Sequence, residues 1–304
     1  MEKRKIFVIG HKNPDTDSVC SAIAYAQLKN EIDTENEYIP LRAGQTNEET
    51  QYVLKQFGVN APQYVMDVKS QVKDIEIRKV DGVDRNISIK AAWKLMRDIG
   101  VVTLPITRDN KLEGLITIAD IATSYMDVHD STTLSTARTV CKNIVETLDG
   151  ALIIGDEEHV FDRGKVLVAA ANPDLMESYI RMGDIVILGN RYESQLCAIE
   201  MQAGCIVVCE GAPVSMTIKK LAVENHCTII STPHDTFTAS RLINQSVPIS
   251  FFMRTEGLIT FSTEAYTDEV RQVMAKKRHR DFPIHDEQGN YIGMISRRNL
   301  LGMG

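Results

Sequence analysis

A nine-residue string near the amino terminus carries three side chains able to bind a metal ion. The string runs from Gly10 to Ser18, reads GHKNPDTDS, and places His11, Asp15 and Asp17 directly after a short apolar run. One imidazole and two carboxylates at the carboxyl end of a strand suit Mn²⁺, Co²⁺ or Mg²⁺. Carboxylates at alternate positions can reach two adjacent metal ions, which together hold the attacking and leaving oxygens of a phosphoryl displacement. A plain turn with a helix cap is the alternative interpretation, because Asn, Pro and Asp are common in turns.

The elements around this string predict the opening of a parallel α/β domain. Residues 5–10 read as a short buried strand, and the pattern predicts a helix over about 18–29 with Asp17 or Ser18 as its cap. A second strand over 37–41 and a second helix over about 48–57 continue the alternation. The alternation stops at about residue 60, so this stretch predicts only part of such a domain.

An internal repeat decides the architecture of the remainder. Residues 91–121 and 268–300 each predict a helix, a strand with Leu-Pro-Ile or Phe-Pro-Ile, a polar turn, a second strand and a helix. The matched pairs are Met96 and Met274, Pro105 and Pro283, Gly114 and Gly293, Thr117 and Ser296, and Asp120 and Asn299.

The segment between the repeats, residues 127–245, predicts a compact α/β domain rather than a linker. The predicted strands are 151–154, 166–170, 185–188, 206–209 and 228–231. The predicted helices are 173–182, 193–203 and 215–224.

The repeats also carry polar side chains suited to a nucleotide. Thr117 and Asp120 lie three residues apart at a strand end and a helix start, so both can face one ligand, and a carboxylate can accept both hydrogen bonds of a ribose diol. Ser296 and Asn299 repeat this spacing without the negative charge. Capping of the helix is the alternative interpretation at each position.

Positive charge for a phosphate is predicted from the second repeat. Arg278 and Arg280 come just before the buried strand over 282–284, whereas Lys276 and Lys277 are typical of a solvated face. We therefore expect Arg278 and Arg280 to contact a phosphate. Arg297 and Arg298 are the next candidates.

Composition limits the classes of partner. The 304 residues carry a formal net charge of -7, so the chain has no overall field for nucleic acid, and an anion must be bound by a local basic cluster or a metal. No apolar run approaches the roughly 20 residues that span a bilayer. We therefore expect a cytoplasmic protein without a nucleic-acid or membrane partner. The six cysteines are scattered, and buried free thiols are predicted, with Cys205 and Cys209 on one face of a strand.

Three resemblances follow from these motifs. Both repeats resemble cystathionine-β-synthase (CBS) domains, which occur in pairs and bind adenosine nucleotides in the cleft between them. The middle segment resembles the DRTGG domain, with Gly189-Asn190-Arg191 and Glu210-Gly211 at the positions of a degraded signature. The string from Gly10 to Ser18 resembles the first motif of the DHH phosphoesterase superfamily, in the form used by family II inorganic pyrophosphatases. The order CBS–DRTGG–CBS resembles the regulatory insert of the CBS-containing members of that family.

These resemblances imply the fold and the ligands. The implied fold is α/β: a partial DHH-type α/β unit over 1–60, then a pair of α+β CBS domains over 61–126 and 246–304, interrupted by an α/β DRTGG-like domain over 127–245. The implied metal ligands are His11, Asp15 and Asp17, which bind Mn²⁺ or Co²⁺, with Mg²⁺ accompanying the pyrophosphate substrate. The implied regulators are AMP, ADP, ATP or a diadenosine polyphosphate; AMP and ADP inhibit, and diadenosine polyphosphates activate.

The resemblance also implies a homodimer through the CBS domains. Apolar positions 92, 95 and 96 of the first repeat recur at 270, 273 and 274 of the second, at helical spacing, and supply a candidate dimer surface.

The remaining metal ligands of the family, a later Asp and an Asp-His-His or Asp-His-Asn motif, are not found in this sequence. We therefore expect this chain to be catalytically inactive alone and to be part of a longer enzyme. Two alternatives remain open: a stand-alone CBS nucleotide-sensing module, and a DHH-type phosphoesterase or nuclease relative.

Overall fold

The structure is a computed structural model that describes residues 3–65, 69–126, 130–169, 173–277 and 279–301. Arg278 lies outside the described residues, as do the side chains of Asp174, Asn299 and Leu301. The chain divides into two compact units, Met1–Ser70 and Gln71–Gly304. Within the described residues, no helix is both long and apolar enough to cross a bilayer.

The first unit is a three-stranded parallel sheet with two helices. Its elements are β1 (Arg4–Ile9), α1 (Thr16–Ile32), β2 (Asn36–Arg42), α2 (Glu48–Gln56) and β3 (Gln63–Tyr64). The strands lie in the order β1-β2-β3. Buried Val19, Ala22 and Ala26 recur at helical spacing, so α1 packs a narrow stripe against β1 and β2.

The helix that follows the candidate metal string begins earlier than predicted. Its N-cap is Asp15, whose carboxylate accepts a hydrogen bond from the Ser18 backbone N–H at 2.9 Å. The prediction of Asp17 or Ser18 as the cap was therefore wrong. The Ser18 hydroxyl has another partner, because it accepts a hydrogen bond from the His11 backbone N–H at 3.2 Å. That bond closes the loop and leaves Asp15 at the helix start.

The second unit contains the repeats and the segment between them. Its helices and strands in chain order are α3 (Ile89–Ile99), β4 (Thr103–Arg108), β5 (Lys111–Thr117), α4 (Ile118–Met126), α5 (Thr133–Thr136), β6 (Thr139–Val140), α6 (Cys141–Thr147), β7 (Ala151–Ile154), β8 (Val160–Phe161), β9 (Val166–Val168), α7 (Pro173–Tyr179), β10 (Ile185–Leu188), α8 (Tyr192–Glu200), β11 (Cys205–Val208), α9 (Met216–Glu224), β12 (Thr228–Ser231), α10 (Thr236–Leu242), β13 (Phe261–Ser262), α11 (Thr267–Lys276), β14 (Asp281–His285), β15 (Tyr291–Ser296) and α12 (Arg297–Leu301).

The two repeats have the same strand register, as the sequence match predicts. Thr103 faces Thr117 across the hairpin of β4 and β5, and Asp281 faces Ser296 across the hairpin of β14 and β15. Each hairpin also shifts register just after its Pro-Ile, at Ile106/Thr107 and at Ile284/His285. The one-residue offset in the alignment is therefore taken up in the turn.

The repeats exchange their entering segments. Arg78, which precedes the first repeat, pairs through its backbone with Met294 of the second repeat, with both hydrogen bonds at 2.9 Å. Arg254, which precedes the second repeat, pairs in the same way with Leu115 of the first repeat, at 2.9 and 3.0 Å. Each hairpin is thus completed at its outer edge by the segment that leads into the other repeat.

The segment between the repeats forms a five-stranded sheet in the order β7-β12-β11-β10-β9. All neighbouring strands are parallel except β7, which is antiparallel to β12. Ile185 and Ile187 pack into one apolar cluster with buried residues of the first repeat, whereas Val186 and Leu188 pack into a second cluster with α7, α8 and α9. The sheet is therefore covered on both faces, which explains its continuous apolar strands.

The predicted elements are confirmed with small differences in their ends. The fourth strand of this sheet region, β11, starts one residue earlier than predicted, and α7 and α8 end before the predicted Met182 and Ala203. The predicted α/β fold with a CBS pair interrupted by an α/β domain is confirmed. The first compact unit ends at Ser70, later than the predicted boundary at residue 60, and the domain boundaries themselves stay a prediction.

Four of the six residues in the apolar stripe expected to form a dimer surface face inward, and the other two, Leu95 and Val273, are half-buried. Ala92 and Met96 are buried in the cluster shared with the central sheet, and Val270 and Met274 are buried in a separate cluster within the second repeat. These four side chains are core residues and do not supply a surface for a second copy.

Candidate functional site

Two of the three predicted metal ligands point toward each other. The His11 Nε2 atom lies 3.3 Å from the Asp15 Oδ1 atom, and both side chains are more than half exposed. The Ser18 backbone N–H, which donates to Asp15, is the largest of the causes that hold the pKa of this carboxyl below its ordinary value. Asp15 is thus ionised and beside an imidazole, which is the state in which both act as metal ligands.

Asp17 lies apart from this pair. Its carboxylate accepts a hydrogen bond from the Ser21 hydroxyl at 3.3 Å, one turn further along α1. Among the residues that the structure describes, no three His, Cys, Asp or Glu side chains form a group able to hold one metal ion. The donor set therefore fits a metal in part: His11 and Asp15 are together, and Asp17 is directed along the helix.

Glycine holds the backbone of the metal string against its neighbours. A Cβ atom at Gly10 would lie 1.9 Å from the Ser18 hydroxyl oxygen, and one at Gly44 would lie 2.5 Å from Cδ of Pro14. Side chains at these two positions would therefore force the loop apart. The close approach of the two loops fixes the backbone that carries His11 and Asp15.

A cavity of about 420 Å³ lies between the two repeats, and we call it the inter-repeat cleft. Its volume is in the range of small-molecule sites. The described residues that line it are Val102, Thr103, Leu115, Thr117, Ile118, Ala119, Arg254, Glu256, Gly257, Leu258, Ile259, His279, Arg280, Asp281 and Phe282. The cleft thus combines apolar walls with a few charged groups, as a nucleotide site requires.

Thr117 lies in the wall of the cleft, whereas Asp120 is outside the lining and caps α4. The Asp120 carboxylate accepts hydrogen bonds from the Thr117 backbone N–H at 2.8 Å and from the Thr117 hydroxyl at 2.7 Å. The Thr117 hydroxyl oxygen in turn lies 3.2 Å from the Asp120 backbone N–H. The two side chains therefore satisfy each other and the helix start. A ribose contact by Asp120 stays a prediction.

Arg280 lies in the lining, as predicted, together with His279 and Asp281. The other predicted phosphate ligand, Arg278, lies outside the described residues. Asp281 is half-buried, and this burial raises the pKa of its carboxyl above the ordinary value, while a hydrogen bond from Thr103 and the charges of Arg78 and Arg280 act in the opposite direction. A carboxylate therefore stands beside the candidate phosphate ligand.

The second repeat presents different groups at the equivalent positions. Ser296 ends β15, and Asn299 lies in α12 with its side chain outside the description. Arg297 donates hydrogen bonds to the carbonyl oxygens of Met274, at 2.6 Å, and of Lys277. This guanidinium covers the last turn of α11 and satisfies carbonyls that the helix leaves unpaired. Because its guanidinium already binds these carbonyls, Arg297 is a poorer candidate for the phosphate ligand than the sequence indicated.

Sequence reasoning missed Arg254, which lies in the cleft wall across from the second repeat's basic residues. Its guanidinium lies 3.6 Å from the Asp120 carboxylate, and its backbone pairs with Leu115. The position is invisible in the repeat alignment, because Arg254 precedes the second repeat in sequence but packs on the first. The sequence could have indicated this site only through the presence of a basic residue before the second repeat.

The DRTGG-like signature residues meet at one edge of the central sheet. Gly189-Asn190-Arg191 follows β10, and Glu210-Gly211 follows the neighbouring β11. Both Glu210 and Gly211 have positive φ, at 61° and 62°, and their backbone N–H groups donate to His234 and Thr232. These two N–H groups therefore link the end of β11 to the loop after β12 and stabilise the carboxyl end of these strands.

The cysteines are free, and five of the six are buried. Cys205 and Cys209 lie in the same apolar cluster, which confirms that they share a face of the strand. Burial raises the pKa of Cys141 to about 12 and that of Cys209 to about 11. Thiols of this kind are protonated and inert at neutral pH.

Three family models match parts of the chain. The DHH family, N-terminal domain, matches residues 5–154; the DRTGG domain matches residues 143–246; and the CBS domain matches residues 250–303. The first of these extends beyond Ser70 into the first repeat, where the structure has the same hairpin and helix register as in the second repeat.

Two curated relatives match nearly the whole chain. A cobalt-dependent inorganic pyrophosphatase of Clostridium perfringens is 40% identical over 301 residues, which are 98% of this chain and 54% of that protein. A probable manganese-dependent inorganic pyrophosphatase of Thermotoga maritima is 31% identical over 297 residues, again 98% of this chain and 54% of that protein. The chain thus spans about half the length of these curated relatives.

A solved structure matches three quarters of the chain. It contains the CBS and DRTGG domains of the regulatory region of Clostridium perfringens pyrophosphatase, in complex with the activator diadenosine tetraphosphate. The match has a TM-score of 0.72 and 37% identity, and it covers 75% of this chain and 100% of that one. The chain therefore belongs to the family of inorganic pyrophosphatases that carry CBS and DRTGG domains.

Proposed function

We propose that this chain joins the first metal-binding loop of a metal-dependent inorganic pyrophosphatase to its nucleotide-sensing regulatory region. The observation that carries the proposal is the match along the full length of a regulatory region that binds diadenosine tetraphosphate as an activator. The proposed reaction of the whole enzyme is the hydrolysis of diphosphate to two phosphates, as in the relatives that share about half their length with this chain.

The inter-repeat cleft is the proposed nucleotide site. Apolar side chains such as Val102, Ile259 and Phe282 line it and suit an adenine, while Arg280 supplies positive charge for a phosphate. A phosphate cannot be buried without such a partner. Thr117 and Arg254 also line the cleft, and Thr117 supplies a hydroxyl. Asp120 lies outside the lining, with its carboxylate 3.6 Å from the Arg254 guanidinium. In the second repeat, Ser296 and Asn299 are the proposed equivalents, and Arg278 is the proposed second phosphate ligand.

The metal string is the proposed contribution to catalysis. His11, Asp15 and Asp17 are the proposed ligands of Mn²⁺ or Co²⁺, which when bound polarises a phosphoryl oxygen and lowers the pKa of a water. His11 and Asp15 already face each other at 3.3 Å. Asp15 holds its position because it caps α1, and Asp17 must release Ser21 to join them.

We also propose which nucleotides regulate the enzyme and how its chains assemble. AMP and ADP are proposed inhibitors that compete with ATP for the cleft, and diadenosine polyphosphates are proposed activators. A homodimer through the CBS domains is proposed as the assembly. Its support is an apolar groove of about 480 Å³ on α3 and α4, where Trp93, Tyr125 and Met126 are exposed.

Calorimetry with this chain tests the regulatory role. Diadenosine tetraphosphate and AMP should each bind and release heat, and light scattering at micromolar concentration should give the mass of a dimer. If no adenine compound binds, the proposed function fails. If nucleotides bind and the mass is that of a monomer, the nucleotide role stands and the dimer proposal fails.

A further inference from the structure

The inter-repeat cleft contains a carboxylate at the point where the two repeats meet. Asp281 begins β14, next to Arg280 in the chain, and it lines the cleft. Its Oδ2 atom accepts a hydrogen bond at 3.3 Å from the hydroxyl of Thr103, the residue at the equivalent position of the first repeat. The half-buried carboxylate therefore joins the two repeats within the lining of the cleft.

The charges of the lining nearly cancel. Among the described lining residues, Arg254 and Arg280 are offset by Glu256 and Asp281, and His279 is the one further titratable residue. Arg78 also faces Asp281, but its guanidinium donates to the carbonyl oxygens of Ile99, at 3.0 Å, and Gly100, at 3.4 Å. Arg254 is already close to the Asp120 carboxylate, at 3.6 Å. Among the described residues of the lining, Arg280 is therefore the arginine with no carboxylate partner of its own to hold it away from a phosphate.

Arg280 and Asp281 line the same cleft, and the charge of Arg280 acts on the Asp281 carboxyl, so a phosphate bound to Arg280 is within electrostatic reach of that carboxylate. Like charges at such separations repel strongly where burial limits solvent screening. A terminal phosphate carries about 1.5–2 negative charges at pH 7, because its second pKa is about 6, whereas a bridging phosphodiester has no second proton to lose and carries about one. The repulsion from Asp281 is consequently larger for the terminal phosphate.

We propose that Asp281 sets the charge selectivity of the inter-repeat cleft, so that it favours phosphodiester-linked adenine ligands over ligands with a dianionic terminal phosphate. This proposal rests on the nucleotide-binding function above and names the class of ligand that the same site prefers. Burial of the Asp281 carboxyl, which already raises its pKa, agrees with a site that disfavours added negative charge.

A series of ligands that differ in charge tests the proposal. Adenosine, the methyl phosphodiester of AMP, and AMP carry about zero, one and two negative charges at pH 8. Calorimetry at this pH compares the wild-type chain with Asp281→Asn, which removes the charge and keeps an oxygen that accepts from Thr103. Glu224→Gln is the matched control, because it removes one exposed carboxylate in the central domain, outside the lining of the cleft.

Asp281→Asn should raise the affinity for AMP about tenfold and for the methyl diester about threefold, with adenosine changed less than about twofold. Glu224→Gln should leave all three unchanged. Glu256→Gln, which removes the second carboxylate of the lining, should act in the same direction as Asp281→Asn but more weakly, because Glu256 is exposed. Asp281→Thr, which places at this position the side chain of its equivalent in the first repeat, should give the same pattern as Asp281→Asn and tests the charge if Asp281→Asn does not fold.

The outcomes are distinct. If the wild-type chain binds none of the three ligands, the proposed function itself fails, and this inference fails with it. If the wild type binds and the ratio of AMP to adenosine affinity stays the same in Asp281→Asn and Glu256→Gln, only the charge selectivity is wrong. If Asp281→Asn weakens all three ligands equally, Asp281 contacts the nucleoside instead, and the proposal is also wrong.

Discussion

The two repeats share their strand register and their exchanged entering segments, yet they carry different chemistry at equivalent positions. Where the first repeat has Thr103, the second has Asp281, and the two side chains meet in a hydrogen bond. Where the first repeat has Ile118 in the wall of the cleft, the second has Arg297, whose guanidinium covers the end of α11. The equivalent backbone position therefore carries a side chain that lines the cleft in the first repeat and one that covers the end of a helix in the second.

This difference shows that duplication of a fold does not duplicate a site. The backbone positions of the hairpin and helix are set by the apolar core and by backbone pairing, which are alike in both repeats. The ligand chemistry depends on a few side chains at strand ends, and single substitutions there change charge without disturbing the register. Function must therefore be argued from those side chains and not from the fold.

The largest expected effect concerns the basic side of the cleft. Arg280→Ala should weaken AMP binding about ten- to hundredfold, because a charge-assisted hydrogen bond to phosphate contributes about 1.5–3 kcal/mol. Adenosine binding should stay the same, since it has no phosphate. Calorimetry with both ligands measures the contrast, and Lys276→Ala, an equal change of charge at the exposed end of α11, serves as the control. An unchanged AMP affinity would place the phosphate elsewhere in the cleft.

A smaller effect is expected from the first repeat's cap. Asp120→Ala should lower the free energy of unfolding by about 1 kcal/mol, because it removes the acceptor of the Thr117 N–H and hydroxyl groups. It should also weaken adenosine and AMP alike, by about three- to tenfold, if the carboxylate binds the ribose. Urea unfolding and calorimetry separate the two roles. Loss of stability with unchanged adenosine affinity would make Asp120 a cap only, and Asn299→Ala provides the comparison in the second repeat.

The smallest effect is the pH dependence of stability at Asp281. Its folded-state pKa is raised above the ordinary value of 3.8, mainly by burial, so the folded state binds the proton more tightly than the unfolded state. The resulting stabilisation is complete below pH 3.8 and is lost as the pH rises through the folded-state pKa. As the pH rises above 4, the unfolding free energy of Asp281→Asn should therefore increase relative to that of the wild type. Parallel pH profiles of the two proteins would show that the burial has no energetic consequence.

Much of this architecture could be predicted because its signals are local. The repeat match, the Pro-Ile strands and the apolar strands of the central sheet are read from neighbouring residues, and their positions in the structure agree within a few residues. The signal of the string from Gly10 to Ser18 is also local, but its cap was misplaced because five residues of the string are Ser, Thr, Asp or Asn, the types that cap helices. In the structure Asp15 is the cap, because its carboxylate accepts a hydrogen bond from the Ser18 backbone N–H.

The missing parts depend on contacts that are distant in sequence. Arg254 reaches the first repeat only through the exchanged segment, and the repeat alignment does not contain it. Asp281 was visible beside Arg280, but its half-buried state arises from packing against Thr103 across the two repeats. The inward orientation of Ala92 and Met96 follows from the packing of α3 against β4, α4 and the turn Ile243–Ser246, which is distant in sequence.

The exchange of entering segments also has a consequence during synthesis of the protein. Gln71 donates a hydrogen bond to the carbonyl oxygen of Glu264, 193 residues later, and Arg78 completes the edge of a hairpin that ends at Ser296. At about 5–20 residues per second, a ribosome needs about 10–40 s to make the intervening chain. The segment from Gln71 to Arg78 must wait for this time without its partner, while the central domain, whose strands are close in sequence, can form. The pair of repeats therefore closes after the central domain has formed.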